Sequence, residues 1–380
     1  MVNGYHAFHL RCIGSSHKKS GTVCQDYADS RQNAYCTLIA VSDGHGGEAY
    51  FRSDRGSRFA VEAFFSCARN ADLLSSFAIA KNDSERGERI GQLIKSVIAR
   101  WTALTEEDAA REPLTGERAD IARAYGATLI GAVLTDSGWF ALQIGDGRCV
   151  LFDKNGEPSQ PVPWDDRCFL NVTTSLCDSD AYTEFRFAFG SEPPAALFLS
   201  SDGVDNSFAG DEKLYDFYRV ALRSFCNMSE EEAIGQLSDF LPSLSEKGSG
   251  DDLSLAAMID TKFIRSAPSL WEKKKPARIE IMREGDFGAD KPSDSYFEKA
   301  EIEAAPGEYN LKELGCGGYG EGARSFEIIT VNSDEIVLRL GEKTYTLTPE
   351  KQVEITETKE QNSYDGPWWT AYDTLTFRIV

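Results

Sequence analysis

Residues 35–47 read YCTLIAVSDGHGG, an apolar run that ends at once in an acid, a histidine and three glycines. The run of aromatic, β-branched and small residues predicts a buried strand. The glycines predict a tight turn at its end, where little side chain blocks the approach to Asp43 and His45. Taken alone, this turn is explained equally well by a solvated acid that hydrogen-bonds its own backbone.

Three further acids lie at the ends of apolar runs. Residues 195–206 (AALFLSSDGVDN) place Asp202 after one run, and residues 138–152 (GWFALQIGDGRCVLF) place Asp146 in a turn between two runs. Asp251 comes just before the run LSLAAMI. Acids at strand ends can converge at one rim of a sheet, and carboxylate oxygens with few nitrogen or sulfur ligands favour Mg²⁺ or Mn²⁺. Together the four acids predict a metal site.

Six motifs in chain order resemble those of the metal-dependent protein phosphatases of type 2C, which remove phosphate from Ser and Thr. They are CQD at 24–26, SDGHGG at 42–47, GATL at 126–129, IGDGR at 144–148, SSDGVD at 200–205 and GDDLS at 250–254. The resemblance covers roughly residues 5–260. It implies an α+β fold, a four-layer α-β-β-α sandwich of two antiparallel sheets flanked by helices, with the metal ions in a cleft at one end.

The resemblance also implies how the ions would be held. Asp43 would bridge two Mg²⁺ or Mn²⁺ ions, and Gly44 would offer its carbonyl oxygen to the second ion. Asp202 and Asp251 would complete the ligand shell of the first ion. Asp146, with Asp202 as its partner, would hold a weaker third ion.

In the family so resembled, the attacking group is a metal-bound hydroxide, so no phosphoenzyme forms. His45 would be the general acid that protonates the departing Ser or Thr oxygen, since an imidazole has a pKa near 6.5. Asp43 and His45 are therefore the expected catalytic residues.

Two positions depart from the family pattern. Gln25 and Asp26 stand where many members have Glu-Asp, and Gly21 stands where those members have an Arg that binds the substrate phosphate. Both Gln25 and Asp26 are expected to face the metal ions. A neutral amide at Gln25 removes one negative charge from the shell of the second ion, which should weaken that site.

The segment before Gln25, GSSHKKSGTVC, is similar to that of a bacterial-type branch of the family. A histidine and lysines in this segment are expected to take over the phosphate contact, with His17 and Lys18 as the first candidates and Lys19 as a third. The alternative is that the lysines only solvate a loop.

Composition indicates a cytoplasmic protein. The net charge of −21 opposes binding to nucleic acid, because phosphate backbones require clustered cations. The first residues show no signal-peptide pattern, and no apolar run approaches membrane-spanning length, so no membrane partner is expected. The nine cysteines are odd in number and scattered, which favours free thiols over a zinc site or a disulfide framework.

The chain is expected to contain two domains. Apolar spacing predicts helices at 55–68, 88–107, 212–225 and 229–241, the last with a capping box of Ser229 and Glu232. A catalytic domain would span 1–260, followed by a charged linker at 261–275. Residues 276–380 alternate with period two in the runs 278–282, 326–331, 335–340, 343–347, 352–356 and 375–380, which predicts a small all-β domain for recognition.

The resemblance implies a hydrolase of phosphoserine and phosphothreonine in proteins that acts in signalling, with a Ser/Thr kinase or its target as partner. The first alternative is a catalytically weak pseudophosphatase, a scaffold that binds a kinase or phosphoprotein, which Gln25 and Gly21 motivate. A second alternative is a phosphatase of a small phosphorylated metabolite.

Overall fold

The computed structural model describes residues 4–114, 120–168, 172–272, 277–286, 295–317, 325–331, 335–361 and 369–380. The chain divides into two compact units, Met1–Lys273 and Lys274–Val380. Among the helices described, none is both long and apolar enough to span a membrane.

The first unit is built on two five-stranded antiparallel sheets. One has the order β1-β10-β9-β6-β7 and the other the order β2-β3-β4-β5-β8. In chain order the strands are β1 (Tyr5–Cys12), β2 (Tyr27–Gln32), β3 (Cys36–Ser42), β4 (Leu129–Thr135), β5 (Gly138–Ile144), β6 (Arg148–Phe152), β7 (Pro158–Ser159), β8 (Arg186–Gly190), β9 (Ala196–Ser200) and β10 (Leu253–Asp260).

Helices and short helical turns connect these strands. They are α1 (Ser15–Ser20), α2 (Ser53–Ala68), α3 (Ala71–Ala78), α4 (Asp83–Arg111), α5 (Ile121–Ala124), α6 (Ala181–Glu184), α7 (Asp202–Asp205), α8 (Asp211–Asn227), α9 (Glu230–Lys247) and α10 (Thr261–Ser266), with 3₁₀ turns at Glu48–Tyr50 and Pro268–Trp271. The four predicted helices are present as α2, α4, α8 and α9, and the capping box of Ser229 and Glu232 is confirmed. Helix α9 continues past Pro242, where the sequence prediction ended, because Leu244 is buried on the same face as Leu241.

Three apolar layers hold the first unit together. The faces of the two sheets pack on each other through residues such as Ile39 and Leu199. Helices α2, α3 and α4 cover the outer face of one sheet, and α8 and α9 cover the outer face of the other. Strand β3 is buried along its whole length because both of its faces are covered, which explains its continuous apolar run. The predicted α-β-β-α sandwich is confirmed.

The predicted linker at 261–275 is wrong over the residues that the structure describes. Residues 261–266 form α10, and a 3₁₀ turn follows at Pro268–Trp271. Ile264 and Trp271 are fully buried in the core beside α8, with ring contacts from Trp271 to Phe152 and Phe263. The segment was predicted as a linker because it is rich in charged residues. Its two buried apolar side chains, Ile264 and Trp271, pack it onto the first unit. Residues 273–275 lie outside the described part of the chain.

The second unit contains β strands in two four-stranded antiparallel sheets, β12-β11-β18-β17 and β13-β14-β15-β16. The strands are β11 (Arg278–Asp286), β12 (Ser295–Glu303), β13 (Gly307–Asn310), β14 (Ser325–Val331), β15 (Ile336–Leu340), β16 (Lys343–Leu347), β17 (Val353–Gln361) and β18 (Trp369–Ile379). Each predicted run corresponds to one strand, and the all-β expectation is confirmed. The sequence missed β12 and β13; every second residue of β12 is exposed, and its sequence SYFEKAEIE is rich in charge.

Candidate metal centre

The acids predicted from the sequence line one open cavity at the strand ends of the first unit. Strand β3 ends just before Asp43, β9 ends just before Ser201 and Asp202, and Asp146 lies in the turn between β5 and β6. The cavity has a volume of about 340 Å³ and is lined by His17, Gln25, Asp43, Gly44, His45, Gly46, Asp146, Thr173, Asp202, Asn206, Asp251 and Asp252.

Two predicted site residues do not line this cavity. Asp26 is 3% exposed and lies behind the lining, where its charge acts on Asp43. Lys18 is exposed on α1, and the lining includes its neighbour His17 instead. The remaining predicted residues are brought together.

Three carboxylates are close enough to share a cation. Asp43, Asp146 and Asp202 each offer one oxygen, and these oxygens lie within 4.8 Å of one another. All three side chains are half-buried. Asp251 lines the same cavity from the start of β10 but is more exposed.

The turn that carries Asp43 is fixed by the GATL segment. The Thr128 N–H donates to the Asp43 carbonyl at 2.8 Å, and the Asp43 N–H donates to Thr128 Oγ1 at 3.0 Å. A Cβ added at Gly44 would lie 2.6 Å from the carbonyl oxygens of both Gln25 and Ser53, so only glycine fits there. The close packing holds the Asp43 carboxylate at the cavity.

The turn that carries Asp146 is held through the carbonyls on either side of it. Gln143 Nε2 donates to the carbonyls of Gly145 and Gly147, at 3.2 and 2.7 Å. Arg186 Nη2, from β8, donates to the Gly145 carbonyl at 2.5 Å. Side chains of two neighbouring strands therefore orient the turn.

The segment between β7 and α6 adds a third support to this turn. The Gly145 N–H donates to Thr174 Oγ1 at 3.0 Å, and that hydroxyl donates to Asp165 Oδ2 at 3.3 Å. Arg186 Nε lies 3.8 Å from the same Asp165 oxygen. Asp165 is 5% exposed, so this ion pair and hydrogen bond connect a buried carboxylate to the backbone beside Asp146.

The acidic cluster has strongly perturbed protonation. Burial, together with the charge of Asp252, raises the pKa of Asp26 to about 6. Burial, with Asp146 next in importance, raises the pKa of Asp202 to about 7. Burial and then the charge of Asp26 raise the pKa of Asp43 well above its ordinary value. Without a cation, these carboxylates resist carrying full charge together.

The chemistry of the cavity fits divalent cations. Of the residues that the structure describes, no lysine or arginine lines the cavity, although five aspartates do. Asp26 Oδ2 is buried and has no hydrogen-bond partner among the described residues. Buried carboxylates need compensating charge, and hard divalent cations supply it to oxygen ligands.

Asp252 links two predicted residues, although the sequence did not single it out. It is 3% exposed, and its two oxygens accept the backbone N–H groups of Gly14 and Gln25, each at 2.6 Å. His17 Nδ1 lies 3.0 Å from Asp252 Oδ2. Asp252 therefore fixes the backbone of Gln25, and its carboxylate lies beside the His17 ring at the cavity.

Gln25 turns its amide nitrogen away from the acids. Gln25 Nε2 donates to the His45 carbonyl at 3.2 Å and to Ser53 Oγ at 2.7 Å. Both N–H groups of the Gln25 amide are used in these two hydrogen bonds. The amide oxygen Oε1 is therefore the atom that could bind a cation or accept from its water.

His45 lies beside the acids on the turn after Asp43. The backbone N–H of His45 donates to the Gly126 carbonyl at 3.1 Å. The His45 ring packs edge-on against the Tyr50 ring, with 5.0 Å between the ring centroids. Burial lowers the pKa of His45, whereas the charges of Asp146 and Asp178 oppose that shift. The ring is held in place at the cavity, where it can exchange a proton with a bound group.

Sequence reasoning missed Thr173, Asn206 and Asp252 in the lining. Asn206 Nδ2 contacts Asp202 Oδ2 at 3.1 Å, one helical turn along α7, so its position directly after SSDGVD was an available signal. The tandem acids at 251–252 were a signal for Asp252. Thr173 carried none, because it lies in a segment without a motif.

Solved structures that resemble this one include a bacterial serine phosphatase (14% identity, covering 67% of this chain and 96% of that chain, TM-score 0.47). A second is PppA from Pseudomonas aeruginosa, with 18% identity, coverage of 67% of this chain and 97% of that chain, and a TM-score of 0.44. A third is the serine/threonine phosphatase Stp1 from Staphylococcus aureus, with 14% identity, coverage of 67% of this chain and 94% of that chain, and a TM-score of 0.46.

No curated protein matches the sequence of this chain. The family profile of protein phosphatase 2C matches residues 13–242, which is more than half of the 380 residues. This match confirms the family resemblance seen in the motifs. The chain belongs to the protein phosphatase 2C family.

Proposed function

We propose that this chain is a Mg²⁺- or Mn²⁺-dependent protein phosphatase that hydrolyses phosphoserine and phosphothreonine in proteins. One observation carries the proposal: Asp43, Asp146, Asp202 and Asp251 converge with His45 on a single open cavity. Acids from four separate strand ends have no structural need to meet in this way. Family membership supports a phosphatase, and the geometry supports competence of the site.

In this proposal Asp43 would hold both ions, Asp202 and Asp251 would be further ligands of the first ion, and the Gly44 carbonyl would be a ligand of the second. Asp146 and Asp202 would hold a weaker third ion. When bound, the ions supply a water of lowered pKa and neutralise the phosphoryl oxygens. Asp26 adds negative charge next to Asp43 without reaching the cavity itself.

The side chains around the ions perform the remaining work. His45 is positioned to donate a proton to the departing Ser or Thr oxygen. His17 presents its ring at the cavity edge, where it contacts the phosphate in place of the arginine that the family usually supplies; Lys18 remains a weaker candidate on the exposed side of α1. Gln25 offers Oε1 to the second ion or to its water.

The substrate is a phosphoprotein, and a Ser/Thr kinase or its target remains the predicted partner. The second unit, Lys274–Val380, has its own apolar core, and we propose that it recognises the partner rather than contributing to catalysis. Cytoplasmic localisation and the lack of nucleic-acid binding stay predictions from the sequence.

Phosphate release from matched phosphoserine, phosphothreonine and phosphotyrosine peptides, with Mn²⁺ and with EDTA, tests the proposal. We expect Mn²⁺-dependent release from the first two peptides. Asp136→Asn is a matched control, because Asp136 is exposed in the turn at the opposite end of β4 from the site. Saturable peptide binding without release in any condition would instead identify a pseudophosphatase scaffold.

A further inference from the structure

A second cavity lies between α8 and α9, apart from the acidic one. We call it the α8–α9 cavity; it has a volume of about 460 Å³ and shares no lining residue with the acidic cavity. This volume lies in the range of small-molecule sites.

The α8–α9 cavity is mostly apolar and open to solvent at its mouth. Phe217, Ala221 and Leu237 are buried in its walls. Val220 and Phe240 also line it and remain 50% and 45% exposed. Large apolar side chains left exposed around a concave surface are typical of a binding site.

Two buried donors of this cavity lack partners. Trp271 and Arg219 both line it, and they are 0% and 8% exposed. Within the described part of the chain, neither Trp271 Nε1 nor Arg219 Nε has a hydrogen-bond acceptor. Each of these two nitrogens has less than 1 Å² of accessible surface, so they belong to the cavity wall and offer no contact to an occupant.

The charge of the lining is opposite to that of the protein. The chain has 61 acidic and 40 basic residues, yet the cavity has three basic side chains, Lys213, Arg219 and Arg223, and a single acid, Asp216. Asp216 Oδ1 lies 4.0 Å from Arg219 Nη1. Neither Lys213 nor Arg223 forms an ion pair with an acid that the structure describes. The lining itself therefore carries a net positive charge, which favours an anionic ligand over a cationic one.

We infer that the α8–α9 cavity binds a small amphipathic anion, a ligand with an apolar body and a carboxylate head. The apolar walls would bury the body, and the carboxylate would face the accessible basic side chains Lys213 and Arg223. This site goes beyond the proposed phosphatase function and does not depend on it.

Calorimetric titration of the full chain with octanoate and with 1-octanol tests the inference. We expect octanoate to bind saturably at one site and at least about tenfold more tightly than octanol, because only octanoate makes charge-assisted hydrogen bonds. Arg223→Gln should weaken octanoate binding about tenfold and leave octanol binding unchanged.

Val220→Trp should abolish binding of both compounds by filling the mouth, and the exposure of Val220 lets the variant fold. Arg111→Gln, an exposed change on α4, is the matched control and should bind as the parent does. Absence of saturable octanoate binding, equal affinity for octanol, or unchanged binding in Val220→Trp would overturn the inference. A dimer that Val220→Trp dissociates would also overturn it, because a second copy would then cover this face.

Discussion

Replacing Asp26 by Asn provides a stability measurement on the acidic cluster. Asp26 is 3% exposed, and burial raises its pKa from 3.8 to about 6. An ionised Asp26 therefore costs the folded protein free energy at neutral pH, and a rise of about two pKa units corresponds to about 3 kcal/mol. Asn keeps the size of the side chain and removes the charge. We expect Asp26→Asn to raise the free energy of unfolding of the cation-free protein by up to about 3 kcal/mol near pH 7.5.

The gain should depend on pH with a fixed sign. Since the folded pKa of Asp26 is raised, the folded state binds more protons than the unfolded state between the two pKa values. The contribution of Asp26 to the stability of the parent protein therefore falls as the pH rises from 3.8 toward about 6. Asn does not titrate, so the advantage of the variant should be small near pH 4 and complete above about pH 6.5.

Urea unfolding in EDTA at several pH values measures this difference, with Asp136→Asn as the control that should show none. Mn²⁺ should then stabilise the parent more than Asp26→Asn, because the cation compensates a charge that the variant lacks. If the variant is no more stable than the parent near pH 7.5, or if its advantage does not depend on pH, a buried charge on Asp26 does not destabilise the folded protein.

Four further predictions concern the mechanism and the domain boundary. His45→Ala should reduce the rate on a phosphoserine peptide by about 10² to 10⁴ and the rate on p-nitrophenyl phosphate much less, because p-nitrophenolate leaves without a proton; equal losses would contradict a general acid. Gln25→Glu should lower the half-saturating Mn²⁺ concentration in the hydrolysis assay, and an unchanged value would mean that Gln25 does not serve a cation. Truncation after Glu272 should preserve hydrolysis of p-nitrophenyl phosphate and reduce it on the physiological phosphoprotein. Truncation after Arg265 should lower the free energy of unfolding by about 3–5 kcal/mol through loss of the buried Trp271, and equal stability of the two truncations would show that Trp271 is dispensable.

The convergence of the acidic residues could be predicted because their positions depend on local structure. Asp43, Asp146 and Asp202 follow apolar runs directly, and a strand that ends in a glycine turn must present the next side chain at its tip. Four such tips in one antiparallel sandwich meet at one end. The layered fold was predicted from the resemblance of the six motifs to the type 2C family, and the helical spacing of apolar residues predicted four of its helices.

Contacts between distant segments were beyond such reasoning. The hydrogen bond from Arg186 to Gly145 depends on how β8 pairs with β5, and nothing in the local sequence shows it. Asp251 and Asp252 are equivalent as residues before a strand. Asp252 is buried only because the start of β10 packs against Gly14 and Gln25, whose backbone N–H groups donate to its carboxylate.

The position where the family has a phosphate-binding arginine has a local explanation. Gly21 ends helix α1 in the left-handed conformation, with φ at +74°, which side chains other than glycine rarely adopt. The same helix presents His17 at the cavity. The arginine could not return at Gly21 without backbone strain, so α1 and His17 form an alternative arrangement at this edge of the site.

We propose that the acidic cavity holds the cations on which hydrolysis depends. The decisive experiment follows Mn²⁺ binding by electron paramagnetic resonance and measures p-nitrophenyl phosphate turnover on the same samples. We predict that turnover rises with bound Mn²⁺ in the parent and in Asp136→Asn, and that Asp43→Asn loses tight Mn²⁺ binding and turnover together while its circular dichroism spectrum is unchanged. Full turnover in Asp43→Asn, or turnover of the parent that is the same in EDTA as in Mn²⁺, would show that hydrolysis does not depend on cations held in the acidic cavity.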